Sequence, residues 1–525
     1  MKIDYLKIQK FKNLENFEFH LKDNFNDILV TIGKNGTGKS NFLEALVLIF
    51  RDLIMQEGKP PFAYELHYVC HGKNIKIVSN PKTSTKYHFT VGGEILKNKT
   101  LFWVKENDVF AYLPEYVFAY YSGISNRLEE HFDKSQKKFY TDLKNGVDRP
   151  FRPLFYARPI HSNFVLLAFY AFEDEEIKEF LEEYLQITGF HSSLFVVPKP
   201  EWKSNKGDIR FWNAKGIVAK FLDKLFAKSL MPIKAEVDIR IDFRHSVKKE
   251  CWYLYLENQE TLKELAKEYT NNVDFFKALE STYISDLIQE TRIRVQKKNP
   301  TDGAITFKEL SEGEQQLLTV LGLLKFTNQA ESLFLLDEPD THLSPMWGHE
   351  YLKILQKISG EYGKSQMFLS THKPTTISGL QGDQIIIFEK PEDGKIKAGI
   401  SLISPKGLSA DGILTQIFEM AYTYDEDTYN ELIDRRRLMA KQMFNNNEMT
   451  DREREELARL TTKLSDYSEN FADGLFYEFI YELDRTGGLP AYREVNLTGE
   501  ERAERNRKAA ELFEKIKQKR NSSHQ

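Results

Sequence analysis

One eight-residue run limits what this chain can fold into more than any other feature. Residues 33–40 read Gly-Lys-Asn-Gly-Thr-Gly-Lys-Ser, which fills every fixed position of a P-loop. The apolar run 28–32 before it predicts a buried strand, and Phe42, Leu43 and Leu46 after it recur at helical spacing. A glycine-rich turn between a strand and a helix presents backbone N–H groups to phosphate oxygens. The chain is therefore predicted to bind a nucleoside triphosphate within an α/β fold.

The two side chains at the end of the P-loop have separate predicted roles. Lys39 reaches the β and γ phosphate oxygens, and Ser40 holds Mg²⁺. The other positions contribute mainly backbone N–H groups. The predicted cofactors are ATP and Mg²⁺, and the predicted nucleotide-binding residues of this loop are Gly33, Lys34, Asn35, Gly36, Thr37, Gly38, Lys39 and Ser40.

A second apolar run, residues 333–336, ends in two carboxylates. Asp337 stands where it would hold Mg²⁺ through its shell of ligands, and Glu338 where it would orient or deprotonate the attacking water. A buried strand capped by acidic turn residues is the alternative interpretation. The complete P-loop in the same chain favours the catalytic one.

The segment 310–316, Leu-Ser-Glu-Gly-Glu-Gln-Gln, narrows the family. Ser311 and Glu314 form a capping box before an apolar helix, and a serine and a glycine at a helix start also make an anion site. The segment resembles the LSGGQ signature of the ABC-type ATPase superfamily, in a spelling similar to the chromosome-maintenance, RecF-like and OLD-like branches. The resemblance implies that Ser311 and Gly313 contact the γ-phosphate of ATP held by another protomer. The expected assembly is a homodimer or a higher multiple of dimers.

Two further features extend the resemblance. His372 follows the predicted strand 367–371 and matches the superfamily's switch histidine, which contacts the γ-phosphate, although an isolated histidine also suits a structural role. Residues 337–345 resemble the DEPExHLxP run of RecF-like and OLD-like ATPases, and either Asp340 or His342 could contact the partner protomer. Residues 120–123 are a weak candidate for the glutamine loop, for which no firm equivalent is found.

The segments 116–123 and 126–129 resemble the restriction-system-associated and Septu-type ATPase subunits of anti-phage defence. That resemblance implies an ATP-gated regulator acting with a separately encoded HNH-type nuclease. No nuclease centre is identified in the chain itself, since the only DxD triplet, 425–427, leads into a charged helical stretch. A RecF/SMC-like DNA-repair ATPase that acts on DNA directly shares the same motifs and is the alternative. A transporter subunit is disfavoured because its D-loop sequence is absent.

The charge of the whole chain does not indicate a nucleic-acid partner, because 73 Lys and Arg face 78 Asp and Glu for a net charge of −5. A local candidate is the segment 134–158, where basic residues alternate with aromatic ones. Three interpretations remain open for it: a DNA contact, a solvated surface over buried aromatics, and a protein-docking surface. Its basic residues are Lys134, Lys137, Lys138, Lys144, Arg149, Arg152 and Arg158.

The predicted fold class is α/β, an ABC-type P-loop NTPase head with a large mixed α/β insertion and a helical C-terminal region. The predicted boundaries are 1–60 with 300–405 for the ATPase domain, 61–299 for the insertion, and 406–525 for assembly and partner docking, with folding back onto the ATPase as the alternative for the last. The chain has two cysteines and no continuous apolar leader. We expect a cytoplasmic protein with no membrane partner.

Overall fold

The protein is described by a computed structural model, which forms two compact units. One unit comprises Met1–Glu389 and Lys395–Gly407, and the other comprises Lys390–Gly394 and Leu408–Gln525. The described residues are 1–21, 26–106, 109–148, 152–173, 175–204, 206–240, 243–298, 305–306, 311–327, 330–359, 364–391, 394–420, 423–445, 449–464, 474–486 and 499–523.

The strands and helices are numbered in chain order. The strands are β1 Lys2–Phe11, β2 Leu14–His20, β3 Ile28–Gly33, β4 Tyr64–Cys70, β5 Lys73–Ser79, β6 Tyr87–Val91, β7 Glu94–Ile95, β8 Lys105–Glu106, β9 Val109–Phe110, β10 Tyr116–Tyr121, β11 Leu154–Tyr156, β12 Ile187–Pro198, β13 Ile233–Arg240, β14 Ser246–Leu256, β15 Glu290–Lys297, β16 Ile305–Thr306, β17 Ser332–Asp337, β18 Gln366–Ser370, β19 Ile385–Glu389 and β20 Lys397–Ile400. The helices are α1 Lys39–Ile54, α2 Asp133–Lys144, α3 Ile160–Phe172, α4 Glu175–Tyr184, α5 Gly216–Lys228, α6 Gln259–Ala266, α7 Asn272–Ile284, α8 Glu312–Thr327, α9 Pro345–Ser359, α10 Pro374–Ile377, α11 Ala410–Gln416, α12 Glu426–Asn445, α13 Asp451–Lys463, α14 Gly474–Arg485 and α15 Gly499–Ser523.

The central sheet of the first unit has the order β11-β10-β17-β18-β3-β19-β20. All neighbours are parallel except β19 and β20. Strands β3, β17 and β18 are almost wholly buried, as expected for parallel strands covered on both faces. The strand β18 separates β3 from β17. The mainly parallel sheet confirms the predicted α/β fold class.

Two large antiparallel sheets and the two-stranded antiparallel sheet β8-β9 accompany the central one. The first has the order β2-β1-β4-β5-β6-β7, and the second has the order β13-β14-β12-β15-β16. Strands β10 and β11 come from the segment 61–299 but pair into the central sheet. The predicted domain boundaries stay a prediction, and the part of 61–299 outside the central sheet contains most of the two antiparallel sheets.

Helix α1 lies between the first antiparallel sheet and the central sheet. The ring of Phe42 contacts Phe17 and Phe19 of β2 on one side, with ring centroids 6.1 and 5.6 Å away. On the other side it contacts Phe368 of β18 and Phe388 of β19 at 5.4 and 5.5 Å. Such aromatic contacts add to the burial of apolar surface and fix the position of the helix that begins at the P-loop.

The second unit is helical, and its packing accounts for its apolar residues. Ile433, Ile480 and Ile516, from α12, α14 and α15, share one buried cluster. The Thr-x-x-Glu spacing of Thr450 and Glu453 predicts a capping box, and this box is present at the start of α13. Thr498 and Glu501 have the same spacing, but Thr498 lies outside the described residues. Asp425, of the DxD triplet, accepts a hydrogen bond from the Thr428 N–H at 2.9 Å at the start of α12, which is a capping role. Among the described helices, none is both long enough and apolar enough to cross a membrane.

A buried ionic cluster joins α3, α7 and Arg152, which precedes β11. Glu280 of α7 accepts from His161 at 2.8 Å and forms an ion pair with Arg152. Arg158 and Tyr283 lie close enough to Glu280 to interact electrostatically with its carboxylate. Burial opposes the ionisation of Glu280, but His161 and Arg152 outweigh it and lower the pKa of its carboxyl to about 2.

We expect Glu280→Gln to lower the free energy of opening of α7 by about 3–5 kcal/mol near pH 7, because it leaves the buried Arg152 guanidinium without a counter-charge. Because the folded pKa is depressed, the stabilisation is present above the ordinary value of 4.5 and is lost as the pH falls towards 2. Hydrogen exchange of α7 measures both effects. The exposed Glu264 is the matched control, and equal protection of α7 in wild type and Glu280→Gln would contradict the account.

Candidate functional site

The P-loop runs from the end of β3 to the start of α1. A Cβ on Gly33, whose φ is 145°, would lie 2.3 Å from the Phe388 carbonyl oxygen, so only glycine fits there. The Lys39 ammonium donates to the carbonyl oxygens of Gly33 at 2.7 Å and Lys34 at 3.2 Å. The Thr37 hydroxyl donates to the same Lys34 oxygen at 2.8 Å. The loop thus forms a closed turn around a buried cation.

Burial lowers the pKa of Lys39 to about 8, even though Asp337 and Glu338 act in the opposite direction. No carboxylate of the described residues forms an ion pair with this ammonium, which is therefore well placed to receive phosphate oxygens. The turn between β1 and β2 supports the loop, since the Asn13 amide donates to the Gly36 carbonyl oxygen at 2.9 Å. The sequence gives no signal for that contact.

Asp337 ends the buried strand β17, and its side chain is only 2% exposed. One carboxylate oxygen accepts from the Ser40 hydroxyl at 3.2 Å and from the Ser370 hydroxyl. The other accepts from the Arg127 guanidinium at 2.7 Å. Hydroxyl and carboxylate oxygens are the donors that Mg²⁺ prefers, so Ser40 and Asp337 fit the predicted metal pair.

Glu338 is the first residue after β17 and has a left-handed backbone, with φ of 54°. Its N–H donates to the Ser370 carbonyl oxygen at 3.1 Å, which fixes this unusual turn. The Glu338 side chain is 37% exposed, and one carboxylate oxygen lies 3.4 Å from Nε2 of His372. The turn therefore sends Asp337 into the protein and Glu338 towards solvent. The two adjacent carboxylates therefore lie in different environments.

His372 lies two residues beyond the end of β18, the strand between β3 and β17. Burial, together with the charge of Lys39, lowers the pKa of its imidazole. The ring is therefore neutral at pH 7 and can accept or donate a hydrogen bond beside Glu338. The structure brings this predicted residue and Glu338 together.

The signature segment begins helix α8. The Ser311 N–H and hydroxyl donate to one Glu314 carboxylate oxygen at 2.6 and 2.9 Å, and the Glu314 N–H donates back to the Ser311 hydroxyl at 3.3 Å. This confirms the predicted capping box. Ser311 is exposed, whereas Gly313 is buried, and a Cβ on Gly313 would lie 2.6 Å from the His342 carbonyl oxygen. Leu310 lies outside the described residues.

The two residues considered for partner contact have different environments. Asp340 is buried and accepts from the hydroxyls of Thr371 and Thr376 at 2.6 and 2.5 Å, which makes it an internal cap. His342 is 40% exposed, with its ring 3.3 Å from the Glu312 carboxylate. His342 is therefore the one of the two that another protein could reach.

The candidate glutamine-loop segment 120–123 ends β10 beside the site. Tyr121 is the parallel partner of Asp337, and the Ser122 hydroxyl lies 3.0 Å from that of Thr341. Arg127, slightly farther along, reaches Asp337 directly. Sequence reasoning used Arg127 only as part of a resemblance and did not assign it to the site.

The basic segment 134–158 is less basic on its surface than its sequence indicates. Arg152 is buried and forms an ion pair with Glu280, and Arg158 forms an ion pair with Glu129 at 2.7 Å. Lys134 pairs with Glu57. Lys137 and Lys138 are exposed on α2, while position 149 lies outside the described residues.

A second group of potential ligand atoms, from Cys70, His71 and Glu331, lies within 4.8 Å. Burial raises the pKa of the Cys70 thiol, which keeps it a neutral and poor ligand. The Glu331 carboxylate already accepts from the His71 N–H at 2.8 Å. We interpret this group as structural.

The parallel sheet and the P-loop at the end of β3 define a P-loop ATPase. Residues 1–377 match the AAA ATPase domain, and the chain belongs to that family. It is also related to ATPases of anti-phage defence. The chain is 28% identical over 235 residues to the Septu protein PtuA of Bacillus mycoides (strain KBAB4), covering 42% of this chain and 32% of that protein.

The chain is also 21% identical over 209 residues to the Retron Ec83 probable ATPase of Escherichia coli, covering 34% of this chain and 37% of that one. It thus spans about a third of the length of these curated relatives. Among solved structures, the SMC head domain from Thermotoga maritima aligns with a TM-score of 0.32 and 14% identity, covering 77% of this chain and all of that one.

We expect Glu338→Gln to retain nucleotide binding but to lose about 10²–10⁴-fold in ATP turnover, since the amide cannot take a proton from water. Lys39→Ala should behave differently and lose nucleotide binding itself, because a charge-assisted phosphate contact disappears. Calorimetry and steady-state turnover separate the two effects, with Glu350→Gln, at a partly exposed position of α9, as control. Full turnover in Glu338→Gln would remove this residue from catalysis.

Proposed function

We propose that the chain binds Mg-ATP at residues 33–40 and hydrolyses it with Glu338 and His372. The observation that carries this proposal is the convergence at one sheet edge. The Ser40 hydroxyl lies 3.2 Å from Asp337, and Glu338 lies 3.4 Å from His372. Placement of these groups on the ends of three neighbouring buried strands supports a rigid, preorganised site.

Ser40 and Asp337 would hold Mg²⁺, which when bound neutralises charge on the phosphate oxygens. Lys39 binds the β and γ oxygens, and the N–H groups of the loop complete the cradle. Glu338 orients the attacking water and takes its proton. His372, held neutral by burial, orients the Glu338 carboxylate and is the second group that can hydrogen-bond the water or the γ-phosphate.

Two copies of the chain, we propose further, complete one another's sites. Ser311 is exposed at the start of α8, where the first N–H groups and the helix dipole favour an anion. The exposed His342 lies beside the same helix start, close to Glu312. A surface that combines an exposed serine hydroxyl, helix N–H groups and a histidine suits the γ-phosphate of ATP on a second copy.

The ATPase cycle would regulate a separate effector, for which we propose a separately encoded HNH-type nuclease. The relationship to a Septu protein and a retron ATPase supports a role in anti-phage defence. Direct action on DNA is the second candidate, and the exposed Lys137 and Lys138 are the observation that favours it. Copurification of a nuclease with the chain would support the first candidate. ATP turnover of the purified chain that responds to DNA would support the second.

Ser311→Arg tests the composite site, because the position is exposed and accepts a large side chain. Gly313→Arg is less suitable, since its Cβ alone would meet the His342 backbone. We expect Ser311→Arg to bind ATP with unchanged affinity but to lose most turnover and the ATP-dependent dimer. Thr450→Arg removes an equivalent capping box at α13 and is the matched control.

Mixing Ser311→Arg with Lys39→Ala sharpens the test. If protomers exchange, one intact composite site forms from the wild-type P-loop of the first and the wild-type signature of the second. Turnover should then exceed that of either variant alone. Monomeric wild type in ATP, with turnover per chain independent of concentration, would contradict the composite site.

A further inference from the structure

Arg127 occupies the carboxylate on which the proposed metal site depends. Its Nη2 donates to Asp337 Oδ2 at 2.7 Å, and its guanidinium lies over the Tyr121 ring, 4.9 Å from the centroid. The Arg127 side chain is 32% exposed, whereas that of Asp337 is 2% exposed. The contact therefore joins a reachable cation to a buried anion.

The segment that follows β10 positions the Arg127 guanidinium beside Asp337. It turns back at Gly123, where a Cβ would lie 2.2 Å from the Tyr121 ring, so the backbone passes close over that ring. Leu128 is buried and anchors the returning segment. The next residue, Glu129, pairs with Arg158 at 2.7 Å. The contacts of residues before and after Arg127 in the sequence thus fix its position.

The observed arrangement conflicts with a bound metal. Asp337 Oδ1 already accepts two hydroxyl hydrogen bonds, and Arg127 takes the other oxygen. A guanidinium and a divalent cation on one carboxylate repel each other at short range. The Nε of Arg127 is also buried and has no hydrogen-bond partner among the described residues, which is a cost of the present position.

We propose that Arg127 is the resident counter-ion of Asp337 in the nucleotide-free protein, and that it leaves this carboxylate when a Mg-nucleotide binds. Arg127 is a positioning residue in this account, because it acts through Asp337. The inference rests on the proposed function, in which Asp337 holds the metal. It implies that Mg²⁺ and Arg127 compete, so that the arginine raises the Mg²⁺ concentration that the site requires.

The exchange of Arg127 for the metal on Asp337 also couples nucleotide binding to other parts of the first unit. Arg127 and Glu129 belong to one short segment, and Glu129 holds Arg158. The Arg158 N–H donates to Nδ1 of His161 at 2.8 Å, and His161 contacts Glu280 of α7. Release of Arg127 from Asp337 therefore frees a segment that is linked to the buried ionic cluster.

The test is Mg²⁺ titration of the binding of a fluorescent ATP analogue to the full chain. Because a charge-assisted hydrogen bond is replaced, Arg127→Gln should lower the half-saturating Mg²⁺ concentration by about tenfold or more. Arg127→Lys keeps the charge but not the fork geometry of the guanidinium. Its half-saturating Mg²⁺ concentration should therefore lie between those of wild type and Arg127→Gln. Arg210→Gln, which breaks a pair with Asp208 away from the site, should match wild type.

Thermal unfolding supplies a second readout that does not depend on turnover. Without nucleotide, Arg127→Gln should unfold at a lower temperature than wild type, because Asp337 loses its counter-charge. With saturating Mg-ATP the difference should disappear, since the arginine has already left in wild type. A difference that persists, or a half-saturating Mg²⁺ concentration that is unchanged or raised in Arg127→Gln, would overturn the proposal.

Failure of this inference and failure of the proposed function give different results. If Lys39→Ala binds the nucleotide as tightly as wild type, the P-loop assignment itself fails. If Lys39→Ala loses the nucleotide while Arg127→Gln shows the wild-type Mg²⁺ requirement, only the role of Arg127 fails.

Discussion

The contact between the Ser40 hydroxyl and the Asp337 carboxylate is the constraint around which the rest of the site is arranged. The two residues are almost 300 positions apart in the chain, yet lie 3.2 Å apart because β3 and β17 flank β18 in one parallel sheet. Parallel strands bring their carboxyl ends to one edge, where ligands of open α/β sheets bind. The positions of Glu338 and His372 follow from the same geometry, since each lies within two residues of such an end.

The packing explains why these positions are precise. Phe42 holds α1 against both neighbouring sheets, so the helix that begins at Lys39 cannot shift relative to β18 and β19. The left-handed turn at Glu338 is fixed by the Ser370 backbone and hydroxyl. Asp340 is tied to Thr371 and Thr376 a few residues on. Burial and local hydrogen bonds therefore place the two carboxylates in opposite environments.

Local sequence patterns predicted the elements that local chemistry determines. The P-loop, the strand before Asp337, the strand before His372 and the capping box at Ser311 are all present. Each is encoded within about ten residues, by glycine placement, apolar periodicity or a Ser-x-x-Glu spacing. That is why they could be read from the sequence without any knowledge of the tertiary structure.

The features that sequence reasoning missed depend on distant partners. Arg127 meets Asp337 across 210 positions, and Arg152 meets Glu280 across 128, so neither pairing has a local signal. Burial of Arg152 and pairing of Arg158 also removed two charges from the predicted basic segment. The entry of β10 and β11 into the central sheet was hidden for the same reason, because their neighbours come from other parts of the chain.

The most direct test of the central claim is electron paramagnetic resonance of Mn²⁺, bound in place of Mg²⁺, together with ATP. The account predicts tight binding of one Mn²⁺ per chain, with phosphorus couplings from the nucleotide, and loss of that signal in Asp337→Asn. Asp340→Asn, altered at a buried carboxylate directed at Thr371 and Thr376, should retain it. An unchanged signal in Asp337→Asn would contradict the assignment of this carboxylate to the metal and with it the proposed ATP site.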